Sequence, residues 1–376
     1  MQDKLGKLAQ KLKDMDPTHL AVAVGFDGFV DEIVEVVEKR ESFDSYVRMT
    51  QMAQFGEKII QAAGLSTNIE FVPKTVKLGG NGPIMANALV EAGTAVSYVG
   101  SLGKPNIHPV FFELTDRCTQ VFSLTQPGHT DAVEFNDGKI MLGKMESLNE
   151  INWHTLLAEV GEEQLTKVFS DVDLVATVNW TMTPYMNEIW SGLLGLVQPC
   201  ELENKPFFFV DLADPSKRKG EDIREALEAI AKFSSCYRVI LGLNRKEATE
   251  IANVCGLTLS KPADQVDLDE IVIALGETLG LWCVMVHPTY EAGAYVNGVY
   301  SHTAGPFTSQ PRLTTGAGDN FNAGFCLGLM LELSIEEALM LGKATSGFYV
   351  RNMHSPSWKE LIGFVELWSR HVGEDF

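Results

Sequence analysis

The stretch with the most chemical content is Thr314-Thr315-Gly316-Ala317-Gly318-Asp319-Asn320-Phe321-Asn322-Ala323-Gly324-Phe325, a turn of small residues running into an apolar helical pattern. Gly316 and Gly318 allow close backbone approach and φ values closed to other residues. The spacing predicts that the amides of Gly316, Ala317 and Gly318 point from a helix N-terminus at an anion, aided by the helix dipole. Asp319 then sits beside that anion, where a carboxylate repels a phosphate unless it acts on the other reactant. A base that takes a hydroxyl proton while amides hold a transferring phosphoryl group suits this pairing. The plainer alternative is a helix start whose Asp satisfies first-turn amides. The full string is far more specific than G-x-G-D alone.

Other residues have chemistry only in company. Asp27 and Asp31 flank a glycine after an apolar run, where doubly wound folds bind ligands. A carboxylate there can accept two vicinal hydroxyl protons, or simply stabilise a turn. Asn244 and Glu247 are spaced to begin a helix. Gly100 to Lys104 is too short for a P-loop, and Gly79-Gly80-Asn81-Gly82 lacks the pattern of dinucleotide binding. The eight histidines show no metal spacing, and His108, His129, His287 and His354 read as surface or loop residues. Trp180 ends an apolar run and reads as core packing rather than a pocket wall.

Positioning these groups takes a sheet. Apolar runs at residues 20–25, 95–100, 174–178, 206–211, 237–241 and 282–287 alternate with helical patterns such as 82–93, 221–233 and 245–254. That order predicts a parallel sheet covered on both faces, a Rossmann-like three-layer α/β/α core. Residues 29–39, 69–78 and 130–144 break the rhythm, the last reading as a hairpin about Asn136-Asp137-Gly138. They predict a small inserted β-sheet on that core. With 376 residues and a formal charge of −20, the chain is a globular protein without a broad surface for nucleic acid or anionic membranes. Six cysteines without C-x-x-C pairing read as reduced thiols, and residues 1–15 lack the apolar core of a signal peptide, so a cytoplasmic protein is expected.

The 314–325 string resembles the C-terminal signature of the ribokinase family, the PfkB-type carbohydrate kinases. The Gly79-Gly80 segment with residues 96–103, the N-x-x-E of Asn244 to Glu247, the acids near Gly25 and the segment 211–218 are similar to other family motifs in the same order. The resemblance implies ATP- and Mg2+-dependent phosphoryl transfer to a hydroxyl of a small sugar or polyol. A nucleoside or vitamin-type kinase of the same fold, or a non-catalytic sugar-binding relative, are the alternatives. Asp319 becomes the base and Gly316, Ala317 and Gly318 the anion hole. Asp27, Asp31, Gly79, Gly80 and Asn81 face the substrate, with Asp31 nearer the family's spacing. Asn244, Thr315 and Gly293 face the nucleotide, and Asn244 and Glu247 hold the metal through water. The acid that opens the family's string is Leu313 here, the usual Asn of the Gly-Gly helix is Ile84, and residues 287–293 and 351–355 are atypical around the nucleotide. The resemblance further implies one domain over 1–376, a lid from about 29–40, 69–78 and 118–145, and a homodimer through that lid.

Overall fold

Runs of Val, Ala, Phe and Leu without alternation suit strands buried on both faces. The computed structural model describes residues 1–197 and 205–376. Its strands are β1 (Ala21–Phe26), β2 (Phe29–Arg40), β3 (Tyr46–Arg48), β4 (Phe71–Gly79), β5 (Ala95–Gly100), β6 (Gln120–Ser123), β7 (Gly128–Phe135), β8 (Gly138–Lys144), β9 (Leu174–Val178), β10 (Phe207–Asp211), β11 (Arg238–Leu243), β12 (Cys283–Val286), β13 (Glu291–Val296) and β14 (Val299–Ala304). Nine form one sheet in the order 14-13-12-11-10-9-1-5-6. Pairs from β12 to β6 are parallel, while β13 and β14 extend one edge antiparallel.

Alternation along the strands feeds two apolar layers. Leu174, Ala176, Phe207 and Phe209 join one layer, closed by helices that include Asn81–Glu91, Ala317–Met330 and Ile335–Asn352. Val175, Phe208 and Val210 join the other, under helices that include Met186–Leu196, Gly220–Lys232 and Arg245–Val254. This is the three-layer core read from the sequence. β1 lies between β5 and β9, so the chain changes direction there and opens a crevice at the carboxyl ends of the strands. Asp27, Asn179, Asp211 and Asn244 come at or just after those ends.

The second sheet has the path 3-2-7-8, with β4 also paired to β2. Its cleft face carries Asp31, Lys77, Thr130 and Lys139, set by the cross-strand pairs Asp31–Lys77, Asp31–Thr130 and Glu134–Lys139. Two features differ from the sequence reading. Residues 120–123, expected in the lid, pair with β5 in the large sheet, because a short half-buried strand carries no signal of which sheet it joins. The helix Met52–Gln61, inserted between the lid pieces, packs Phe55 with Val34, Val36, Met49, Val133 and Phe135 on the face away from the cleft. A small sheet needs such a cover, and much of it comes from the chain itself. Among the described residues no helix is long and apolar enough to cross a membrane. Cys118, Cys236, Cys255, Cys283 and Cys326 are free, and Cys200 lies outside the described residues.

Candidate active site

Gly316 precedes the helix Ala317–Met330 with φ +90°, and a Cβ there would meet the Tyr349 hydroxyl at 2.9 Å. Only glycine takes that conformation in that space at no cost. Within the turn the Ala317 amide donates back to the Thr314 carbonyl at 3.2 Å, and the next amide, that of Gly318, belongs to the first turn, whose donors have no partner in the helix itself. Asp319 follows in the first turn, 7% exposed, accepting a hydrogen bond of 2.8 Å from Asn81 Nδ2. Burial raises its pKa to about 7; the Asn81 bond opposes the rise, while Asp27 and Glu247 add to it.

Two cavities meet at this turn. One, of about 240 Å3, is lined by Asp31, Asn81, Thr130, Asn179, Gly316 and Asp319. The other, of about 590 Å3, is lined by Asn244, His287, Thr314, Ala317, Gly318 and Lys343. The string 314–319 is therefore their common wall. A carboxylate that titrates near neutrality faces the smaller space, and helix-end amides border the larger. Such an arrangement can deprotonate a small alcohol and stabilise an anion moving toward it.

Four expected site residues sit elsewhere than anticipated. Asp27 is fully buried and lines neither cavity: its carboxylate accepts the amides of Asn81 and Gly82 at 3.0 and 2.8 Å and Asn179 Nδ2 at 2.6 Å. It fixes the start of the helix that presents Asn81, and burial pushes its pKa up to about 6 against those donors. Gly79 makes room for Asp31, since a Cβ would lie 2.3 Å from the Asp31 carboxyl carbon. Thr315 lines the smaller cavity, not the larger. Gly293 lies within β13 opposite Val286, packed under Tyr300 and outside the walls of both cavities. Asp31, Gly80 and Asn81 do line the smaller cavity, and Asn244 the larger. Asn244 and Glu247 also cap their helix reciprocally, Glu247 accepting the amides of Asn244 and Asp214 at 2.8 and 3.0 Å.

Several groups in the crevice were not read from the sequence. Asn179 has φ +61°, donates to Asp27 and keeps a buried, unpartnered Oδ1. Its place just beyond β9 was the available signal. His287, read as a surface residue, packs on Phe321 at 4.8 Å with Nε2 buried and unpartnered. Burial, then Lys343, brings its pKa down to about 3. Lys343, 6% exposed, donates to the carbonyls of Pro288 and Thr289, and burial lowers its pKa to about 7. Lys139, on the small sheet, donates to Thr315 Oγ1 across 176 residues of chain, a contact with no local sequence signal. Trp180 is core packing, as read, its Nε1 bonded to Asn187 at 2.8 Å. Arg351 bonds the carbonyls of Phe376, Gly347 and Phe307, so it secures the C-terminus.

Asp211, at the end of β10, is buried and its pKa lies well above the usual range, first through desolvation and then through Glu247 and Asp319. Glu247 also raises Asp319, so these three carboxyls share one electrostatic neighbourhood, of the kind that holds a hard cation. Among the described residues they do not bring ligand atoms into one coordination sphere.

A doubly wound sheet with a small β cover, its crevice split at a glycine turn that carries a buried carboxylate, defines a ribokinase-fold kinase. The solved structure of Arabidopsis thaliana ribokinase with ribose and ATP superposes with a TM-score of 0.64 at 16% identity, covering 94% of this chain and 99% of that one. Escherichia coli phosphofructokinase-2 with substrates and products gives 0.63 at 14%, covering 93% and 99%. The chain belongs to the prokaryotic ketohexokinase family, which it matches over residues 9–368. It is 30% identical to a ketohexokinase of Haloferax volcanii over 346 residues, 92% of this chain and 90% of that protein. It is a sugar kinase, transferring a phosphoryl group to an alcohol.

Proposed function

We propose that this enzyme phosphorylates a ketohexose with ATP and Mg2+, using Asp319 as the base. The observation that carries the reading is the shared wall, with Asp319 lining the smaller cavity and Ala317 and Gly318, at the start of the helix, lining the larger. The sugar lies in the smaller cavity, its hydroxyls toward Asp31, Asn81 and Asn179, and ATP fills the larger. Asp319 takes the proton of the attacking hydroxyl as its oxygen bonds to the γ-phosphorus. The bond from that phosphorus to the β-phosphate oxygen breaks, releasing ADP. Gly316, Ala317 and Gly318 hold the charge on the transferred group, and Lys139 adds a cation from the small sheet. Asp211, Glu247 and Asn244 would hold Mg2+, which when bound would supply charge neutralisation for the phosphates. The small sheet is the lid that keeps water from the phosphoryl group.

The test is a panel of ketohexoses, aldohexoses and nucleosides assayed for ADP release with ATP and Mg2+. The ketohexose should have the highest kcat/KM, and Lys139→Met should lower kcat without raising the sugar KM. Faster turnover of a nucleoside would overturn the acceptor assignment. The same reading places the enzyme in the cytoplasm, beside its nucleotide. It also pairs two copies through the small sheet, supported by edge strand β8, which exposes Leu142. Light scattering that returns a 41.4 kDa particle would exclude the pair.

A further inference from the structure

Outside the crevice, the small sheet gathers three side chains of metal-ligating type on the face turned from the sugar. His129 and Asp131 are two residues apart on β7, so the strand's two-residue period puts both on one face. Glu32, on the adjacent parallel strand β2, pairs in register with Asp131. Their side chains are 33%, 15% and 26% exposed for His129, Asp131 and Glu32. His129 Nε2 lies 2.9 Å from Asp131 Oδ1 and 3.5 Å from Glu32 Oε2, and one ligand atom from each residue falls within 4.8 Å of the others.

Two carboxylate oxygens thus converge on one ring nitrogen. That nitrogen carries at most one proton, which can bond well to only one of them. A metal ion accepts all three donors at once and relieves the repulsion between the acids. Lys144, opposite His129 on β8, bonds the other oxygen of Asp131 at 2.9 Å. It turns Oδ1 toward the shared point without occupying it.

We propose that Glu32, His129 and Asp131 form a site for a divalent transition metal, Zn2+ or Co2+ in preference to Mg2+. The imidazole sets the preference: a nitrogen donor suits the later first-row ions, whereas Mg2+ favours all-oxygen shells and keeps its water. Three protein ligands leave a fourth position for water. The bound ion ties β2 to β7. The next residues toward and along the cleft face, Asp31 and Thr130, are themselves a cross-strand pair at the sugar cavity. Occupancy therefore stiffens the two strands that shape the acceptor side.

The experiment uses the full chain, stripped with a chelator and titrated with Co2+ alone, followed by visible absorption and calorimetry. The expected result is one equivalent per chain with ligand-field bands of a nitrogen-containing set, displaced by Zn2+ but not by Mg2+. His129→Ala should abolish the bands, and Glu32→Gln should weaken binding at least tenfold, while thermal unfolding without metal stays close to wild type in both. Asp211→Asn, which alters a residue proposed to hold Mg2+, should bind Co2+ like the wild type, which separates this site from the kinase centre. Absence of saturable binding at millimolar Co2+, or unchanged binding in His129→Ala, would overturn the proposal.

Discussion

Asp319 carries two opposed demands, and its protonation exposes both. A base must be ionised to accept a proton, yet burial lifts this carboxyl to about 7. The kcat/KM of the free enzyme should therefore fall about tenfold for each pH unit below that value. Asp319→Asn keeps an acceptor for Asn81 and should lower turnover by ~10²–10⁴ at pH 8 with sugar binding retained. More than a tenth of wild-type turnover would remove Asp319 as the base. The same shift predicts a stability effect of opposite direction. With its folded pKa above its unfolded value, the folded state holds a proton that the unfolded state releases, so stability falls as pH rises between about 4 and 7. The penalty is absent below that window and complete above it. Asp319→Asn should thus raise the unfolding temperature at pH 8, with the gain vanishing near pH 4; an equal gain at both would mean a packing effect.

At the scale of elements, the large sheet carries the crevice, the small sheet stands beside it, and the helix Met52–Gln61 holds the small sheet together. Phe55, 7% exposed, packs with Phe71 and Phe135 at ring separations of 6.3 and 5.9 Å. Phe55→Ala should cost ~3–5 kcal/mol of local stability and speed amide exchange in β2 and β7 while leaving β9 and β10 protected. Uniform acceleration would show that the two sheets unfold as one unit. The contrast also explains what the sequence disclosed. β9 was legible to the residue because a strand buried on both faces is an unbroken apolar run, and the helix Arg245–Val254 because its cap is a local pair. The glycine turn at Gly316 and the helix it opens were legible because their parts are contiguous. The β13–β14 hairpin carried a local signal in Asn297-Gly298 that went unread, whereas the cover that helix Met52–Gln61 provides and the sheet chosen by β6 depend on partners distant in the chain. His287 and Lys139 were missed for the same reason: burial against Phe321 and reach to Thr315 are tertiary facts. Asp27 was misassigned because a carboxylate that caps a helix from across the crevice has the same sequence position as one that binds a sugar.

The whole molecule carries a formal charge of −20, and both substrates must approach through its field. The proposed ketohexose is neutral, whereas the proposed donor, a nucleoside triphosphate with its magnesium, remains an anion. Repulsion reaches ~30 Å at 0.01 M salt and only ~8 Å at 0.15 M, so its effect belongs to encounter, before any contact is made. On the proposed reading the nucleotide then meets Lys139 at the wall shared by the two cavities, a charge that acts over a few ångströms. Raising salt across that range should therefore increase kcat/KM for the nucleotide several-fold and leave kcat/KM for the sugar unchanged. Steady-state assays at fixed free Mg2+ decide it. A rate that falls with salt would mean that the lysines of the crevice project their field beyond the acidic surface and steer the nucleotide in.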